Sequence, residues 1–155
     1  MNEDETNTGV TAGSHKTSPP VWFRVISVIA LLWFLMDMSA FLMRVLMSDD
    51  VIEAMPANQQ HLYRDMPRWV NVVFAFEVFG GVLGSVGLLL RKRWALPLFA
   101  ASLLGVLSQT FYIYFLSDAI STMGTPALVM PLLAILIGLG MISLAKSAIS
   151  RGWLR

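Results

Sequence analysis

Residues Trp69 to Leu90 read WVNVVFAFEVFGGVLGSVGLLL, an unbroken apolar run whose one charged side chain is Glu77. About 20 helical residues cross the hydrocarbon core of a bilayer. Within hydrocarbon every backbone N–H and C=O has to be paired inside the segment, so such a run has to be a helix. Outward from this stretch lie three more runs of the same kind, Val21 to Met47, Trp94 to Leu116 and Pro126 to Ile149. Each spans about 22 to 27 residues, enough to cross. The expected fold is therefore all-α, an integral membrane four-helix bundle over residues 21–155, with one sizeable outer loop over 48–68.

Composition agrees. Hydrophobic residues make up 56% of the 155-residue chain and charged residues 14%, where soluble domains run nearer a quarter charged. Net charge is +1, and no basic patch interleaved with aromatics lies outside the apolar runs, so a nucleic-acid partner is not expected. There is no cysteine, which excludes disulfides and thiolate chemistry. His15 and His61 are too few for a histidine metal cluster, and neither a metal nor another cofactor is expected. The first run is too long for the apolar region of a cleavable signal peptide. Residues 1–20, with Glu3, Asp4, Glu5 and the stop at Pro19-Pro20, read as a disordered polar tail.

Charge sets an expected topology. Lys16, Arg24, Arg91, Lys92, Arg93, Lys146, Arg151 and Arg155 fall on one side of the alternating runs, and Arg64 and Arg68 on the other. The positive-inside rule places both termini and the Arg91–Arg93 turn in the cytoplasm. That short turn makes the second and third helices antiparallel neighbours. In the outer loop, Asp50-Val-Ile-Glu53 has the spacing of a capping box opening a short helix that Pro56 interrupts. Asn58 to Asp65 suits another turn or two.

Ionisable groups inside membrane helices are costly and frequently functional. Asp37 lies about 16 Å below Ser48, Glu77 about 13 Å below Arg68, and Gln109 about 13 Å below Asp118, at 1.5 Å per residue. The three share one layer, and Tyr112 follows Gln109 on the same helix face. Asp37, Glu77, Gln109 and Tyr112 are thus the candidate binding residues for a small polar ligand. Arg44, two turns from Asp37, is expected to pair with it or to reach outward. The same residues also fit a purely structural use, as an internal ion pair and an interhelical hydrogen bond.

Small residues recur at close-packing spacing: Gly80-xxx-Gly84, Gly81-xxx-Ser85, Ala101-xxx-Gly105 and Ala134-xxx-Gly138. They let helix backbones approach, so Gly80, Gly81, Gly84, Gly105 and Gly138 are expected at helix contacts. Pro131 is expected to kink the last helix. The glycines at 80, 81 and 84 lie in mid-helix with no preceding strand, so they are no nucleotide loop. No Ser/His/acid constellation lies in the membrane layer, and a catalytic residue is not expected.

Several strings resemble a family of small bacterial four-helix membrane proteins called sugar transporters. They are Met66-Pro67-Arg68-Trp69, FEVFGGVLGSVGLLL over 76–90, Arg91-Lys92-Arg93-Trp94-Ala95, Ser108-Gln109 with Tyr112, Gln59-Gln60 with Tyr63, and the end from Ala145 to Leu154. The second and third helices look more distantly like DoxX-like membrane proteins, some of which accompany redox complexes. The resemblance implies a bacterial inner-membrane location and transport of a sugar-type solute. Asp37 and Glu77 depart from the family pattern, which would place a shared activity on Gln109. Sugar recognition needs several hydrogen-bonding groups and an aromatic platform, for which Gln109, Tyr112, Tyr114 and Trp33 are the available set.

Two functions are therefore expected. One is a small-solute, sugar-type transporter working as a homo-oligomer, since one four-helix bundle is a thin wall and no internal repeat supplies a second half. The other is a non-catalytic membrane subunit or assembly factor of a larger complex.

Overall fold

A computed structural model describes residues 18–117 and 119–155. The tail before residue 18 and Asp118 lie outside the described residues. Seven helices follow in order: α1 (Val21–Val45), α2 (Asp49–Glu53), α3 (Ala57–Arg64), α4 (Arg68–Leu89), α5 (Ala95–Phe115), α6 (Ala119–Met123) and α7 (Thr125–Ser150). No strand occurs among the described residues. Four of the helices, α1, α4, α5 and α7, are long and apolar enough to span a membrane. Their ends differ from the apolar runs by a residue or two, because helix ends are set by turn geometry rather than by hydropathy.

The spanning helices form a row, α1 beside α4, α4 beside α5, and α5 beside α7. The middle position of α4 shows in its burial: half of its most apolar window is covered, against 11% for α7. Helices α4 and α5 run antiparallel with their backbones in near contact. Gly87 faces Ala95, Gly84 faces the Phe99 ring, Gly80 faces Leu98 and Ser102, and Gly105 faces Val73 and Glu77. A β-carbon on Gly105 would stand 2.9 Å from the Val73 carbonyl oxygen, so only a hydrogen fits there. Gly81 does the same service for α1, lying under the Phe34 ring, and Gly138 of α7 seats Leu103 of α5.

The end of the bundle at the α4–α5 turn is closed. Arg91 ends α4 at φ 60, with Lys92 N–H bonded to the Gly87 carbonyl at 2.8 Å and Arg91 N–H to the Leu88 carbonyl at 3.0 Å. That is the helix-ending pattern glycine usually supplies. After α7 the chain turns at Gly152 (φ 68). It then pairs with the α4–α5 turn: Arg155 N–H donates to the Arg91 carbonyl at 2.7 Å and Arg93 N–H to the Arg155 carbonyl at 3.1 Å. Trp153 packs edge-on against Phe23 and Trp22 of α1, with centroids 5.5 and 5.8 Å apart. The tail thus ties α1 to the α4–α5 turn. Above it Phe23, Ala30, Phe34, Leu88, Phe99, Met141 and Ala145 form a continuous buried core.

At the opposite end the loops carry α2, α3 and α6. The expected capping box is absent. Ser48 precedes α2 without a side-chain cap, and Asp50 lies within the helix. Glu53 instead pairs with Arg64 of α3 at 3.1 Å. Gln60 donates to the Glu53 and Met55 carbonyls at 3.1 and 2.9 Å. Helix α6 was not foreseen in the short third loop; its five residues carry too little periodicity to be read as a helix.

Candidate functional site

The close approach of α4 and α5 decides where the polar side chains go. Gly105 lies against Glu77, and the Ser102 hydroxyl donates to the Glu77 backbone carbonyl at 2.6 Å. Gln109 is one turn beyond Gly105, on the same face. Asp37 of α1, Glu77 of α4 and Gln109 of α5 consequently line a single cleft with a cavity volume of about 410 Å³. This falls within the range of small-molecule sites, roughly 300–1,000 Å³. Trp33, Phe74, Pro126 and Met130 are among the apolar groups that complete its wall.

Tyr112 is not part of this cleft. Its ring stands edge-on to Trp69 (5.7 Å, 90°), and it lines a separate cavity of about 90 Å³ with Leu62, Tyr63 and Met66. Three residues of helix turn its side chain about 60° away from Gln109. Tyr114 is engaged too, its hydroxyl donating to the Leu128 carbonyl at 2.8 Å. Of the aromatic set considered for a sugar, Trp33 alone reaches the cleft.

The Asp37–Arg44 ion pair also does not form among the described residues. The Arg44 guanidinium lies over the Phe74 ring, 4.8 Å from its centroid, and contacts the Met66 sulfur at 3.9 Å. A ring face attracts a guanidinium, and Glu77 is also close enough to act on its charge. Arg44 and Gln109 line both cavities and so stand at the partition between them.

Among the described residues Asn71 Oδ1, Glu77 Oε2, Arg91 Nε and Gln109 Oε1 are buried without a hydrogen-bond partner, and the Glu77 and Gln109 atoms belong to residues that line this cleft. Glu77 is 5% exposed, yet its Oε2 has no partner, and neither has Gln109 Oε1. Buried polar atoms in native proteins are nearly always bonded, and an orphan costs about 1–3 kcal/mol. The buried hydroxyls of Ser27, Ser85 and Thr110, the last a cleft residue, are each satisfied by the carbonyl one turn back, at 2.8, 2.8 and 2.7 Å. Pro131 has no N–H to offer the carbonyl of Ala127, and both residues line the cleft. Thr110 and Ala127 also line the wall, and neither stands out in the sequence as an ionisable group at depth would. The signal for Ala127 was its place four residues before the helix proline.

Among the described residues no group of His, Cys, Asp or Glu is arranged to hold a metal ion. No family model, curated protein or solved structure matches the chain. The resemblance to the sugar-transporter family therefore rests on the quoted strings alone.

Proposed function

We propose that this chain is a multi-pass membrane protein that binds a small polar solute in the cleft between α1, α4, α5 and α7 and carries it across a bacterial inner membrane as a homo-oligomer, with both termini cytoplasmic. The observation behind this reading is the pair of unpartnered oxygens, Glu77 Oε2 and Gln109 Oε1, buried in a cavity large enough for a ligand. A hydrogen-bonding solute would complete both once rotation of the two side chains turns these now-inaccessible oxygens to the cavity. Asp37 would orient it, Arg44 would bound the cavity toward the loops, and Trp33 would offer a ring face. A sugar-type solute is the expectation carried by the resemblance. Native mass spectrometry of gently extracted protein, followed by counterflow in proteoliposomes, tests the reading. A discrete homo-oligomer with counterflow that is lost in Gln109→Leu supports it; no counterflow of any sugar tested refutes it.

A second reading, a non-catalytic subunit or assembly factor, is favoured by the outward face of α7. There Gly140 has nothing within 4 Å of where a β-carbon would stand, and Ser143 and Ser147 on the same side are exposed. Small residues are what a docking helix needs to approach closely. Recovery of the protein in a fixed stoichiometry with other membrane proteins would replace the first reading by this one.

A further inference from the structure

The cleft has a free side between α1 and α7, two helices long and apolar enough to span a membrane. Toward the α4–α5 turn it is floored by the packed core of Phe34, Phe99 and Met141. Toward the loops it is roofed where α3 meets α6, whose Ala119 lines the cavity. Helices α4 and α5 form a continuous back wall. Helix α1 meets the tail after α7 at one end through Trp153, and along their length the main packing of α1 is on α4 and that of α7 on α5. Met36 and Met130 both line the cavity and are still 58% and 61% exposed. They mark a mouth between α1 and α7. Met36 is about 14 Å along α1 from its Val45 end, and Met130 about 8 Å along α7 from Thr125, at 1.5 Å per residue. Both depths are within the hydrocarbon layer.

Deepening the ligand-binding reading on which it rests, we propose that the ligand is a membrane lipid with a small hydroxylated head and an apolar tail, entering sideways from the bilayer between α1 and α7. A hydroxyl both donates and accepts. Once the side chains turn to the cavity, one such group can donate to Glu77 Oε2 and a neighbouring one to Gln109 Oε1, the two acceptors without partners. The rest of the lining toward the mouth, Met36, Ala40, Met130 and Ala134, offers no hydrogen-bonding side chain. It suits a hydrocarbon tail leaving through the mouth into lipid. A free polyol would have to cross the hydrocarbon to reach this opening, whereas an amphiphile is already dissolved there.

The full-length protein in lipid nanodiscs is titrated with undecanol brominated at its tail end, reading quenching of Trp33 as the difference between the parent and Trp33→Phe. Saturable quenching is expected, weakened about tenfold or more in the Glu77→Met, Gln109→Met double variant, since loss of each bonded pair costs about a factor of ten. It should vanish in Ala134→Phe, which fills the channel to the mouth, while helicity and melting stay intact. Free glucose should not displace the probe. Equal quenching by bromoundecane, which lacks the hydroxyl, or displacement of the alcohol by glucose, overturns the proposal. Quenching that persists unchanged in both the double variant and Ala134→Phe overturns it as well. Absence of counterflow with probe binding intact would refute the carrier reading alone; saturable glucose binding without probe binding would refute the lipid alone.

Discussion

The two halves of this bundle are built on opposite terms. In the half next to the α4–α5 turn, aromatic rings fill the space that glycines open: Phe34 lies on Gly81 and Phe99 on Gly84, and the Ser27 and Ser85 hydroxyls are bonded, though Arg91 Nε at the turn itself is not. In the half next to the loops the same row of helices encloses a cavity of about 410 Å³ containing unpartnered oxygens of Glu77 and Gln109. Lipid tails are as apolar as a leucine core, so membrane helices associate through close packing rather than through hydrophobic exclusion. The packed half supplies that association. It is what allows the other half to stay open and under-bonded.

The comparison can be broken at its hinge. Gly105 is where the packed α4–α5 seam meets the cleft, and its would-be β-carbon meets backbone atoms of Val73 and Glu77 at 2.9 and 3.0 Å. Gly105→Val should cost about 3 kcal/mol, at the upper end for overpacking. A reversible unfolding titration in bilayer-like micelles measures it, and a loss under about 1 kcal/mol would mean the seam yields. Gly81→Ala, deeper in the packed half, should cost about 2 kcal/mol by crowding the Phe34 ring. Phe34→Leu in the same chain should restore part of it, and a double-mutant cycle that shows no coupling would deny the ring-on-glycine contact its role.

In the open half the sign should reverse. Glu77→Met keeps the volume and removes an unsatisfied buried acid, so it should raise stability by about 1–2 kcal/mol in the absence of ligand. A fall in melting temperature would show that the carboxylate is holding the bundle together and is no site. Arg91→Gly relieves a left-handed residue at the closed end and should add about 1 kcal/mol, the usual excess cost of a side chain in that conformation. Thermal melts distinguish these gains. The smallest effect should come from outside both halves. Arg64 and Glu53 are 48% and 65% exposed, and Glu53→Gln should change stability by about 0.5 kcal/mol or less, as exposed pairs do. Helical content of the loops followed by circular dichroism should hardly move.

Much of the site was legible as depth. Asp37, Glu77 and Gln109 could be set in one layer because helical rise converts residue number into height, and the structure lines one cleft with all three. Azimuth was not legible to the same degree. Tyr112 shares a nominal face with Gln109 but turns to Trp69, and Arg44 shares a face with Asp37 but rests on Phe74. Which of two neighbouring directions a side chain takes depends on what another helix presents there. A single helix's own pattern, apolar all the way round, carries no information about that.

The sequence by itself determined the four spanning helices, the antiparallel pairing of α4 with α5 and the glycines at their seam. Each follows from a local rule: an apolar length matched to a bilayer, a turn too short to cross it, a side chain too small to hold backbones apart. Only the tertiary structure decided that the tail after α7 would pack on α1, that Arg44 would rest on the Phe74 ring rather than pair with Asp37, and that Glu77 Oε2 and Gln109 Oε1 would be left without partners. Those outcomes depend on where four helices stop fitting together. That is a property of their combined shapes, which no one of the helices carries alone.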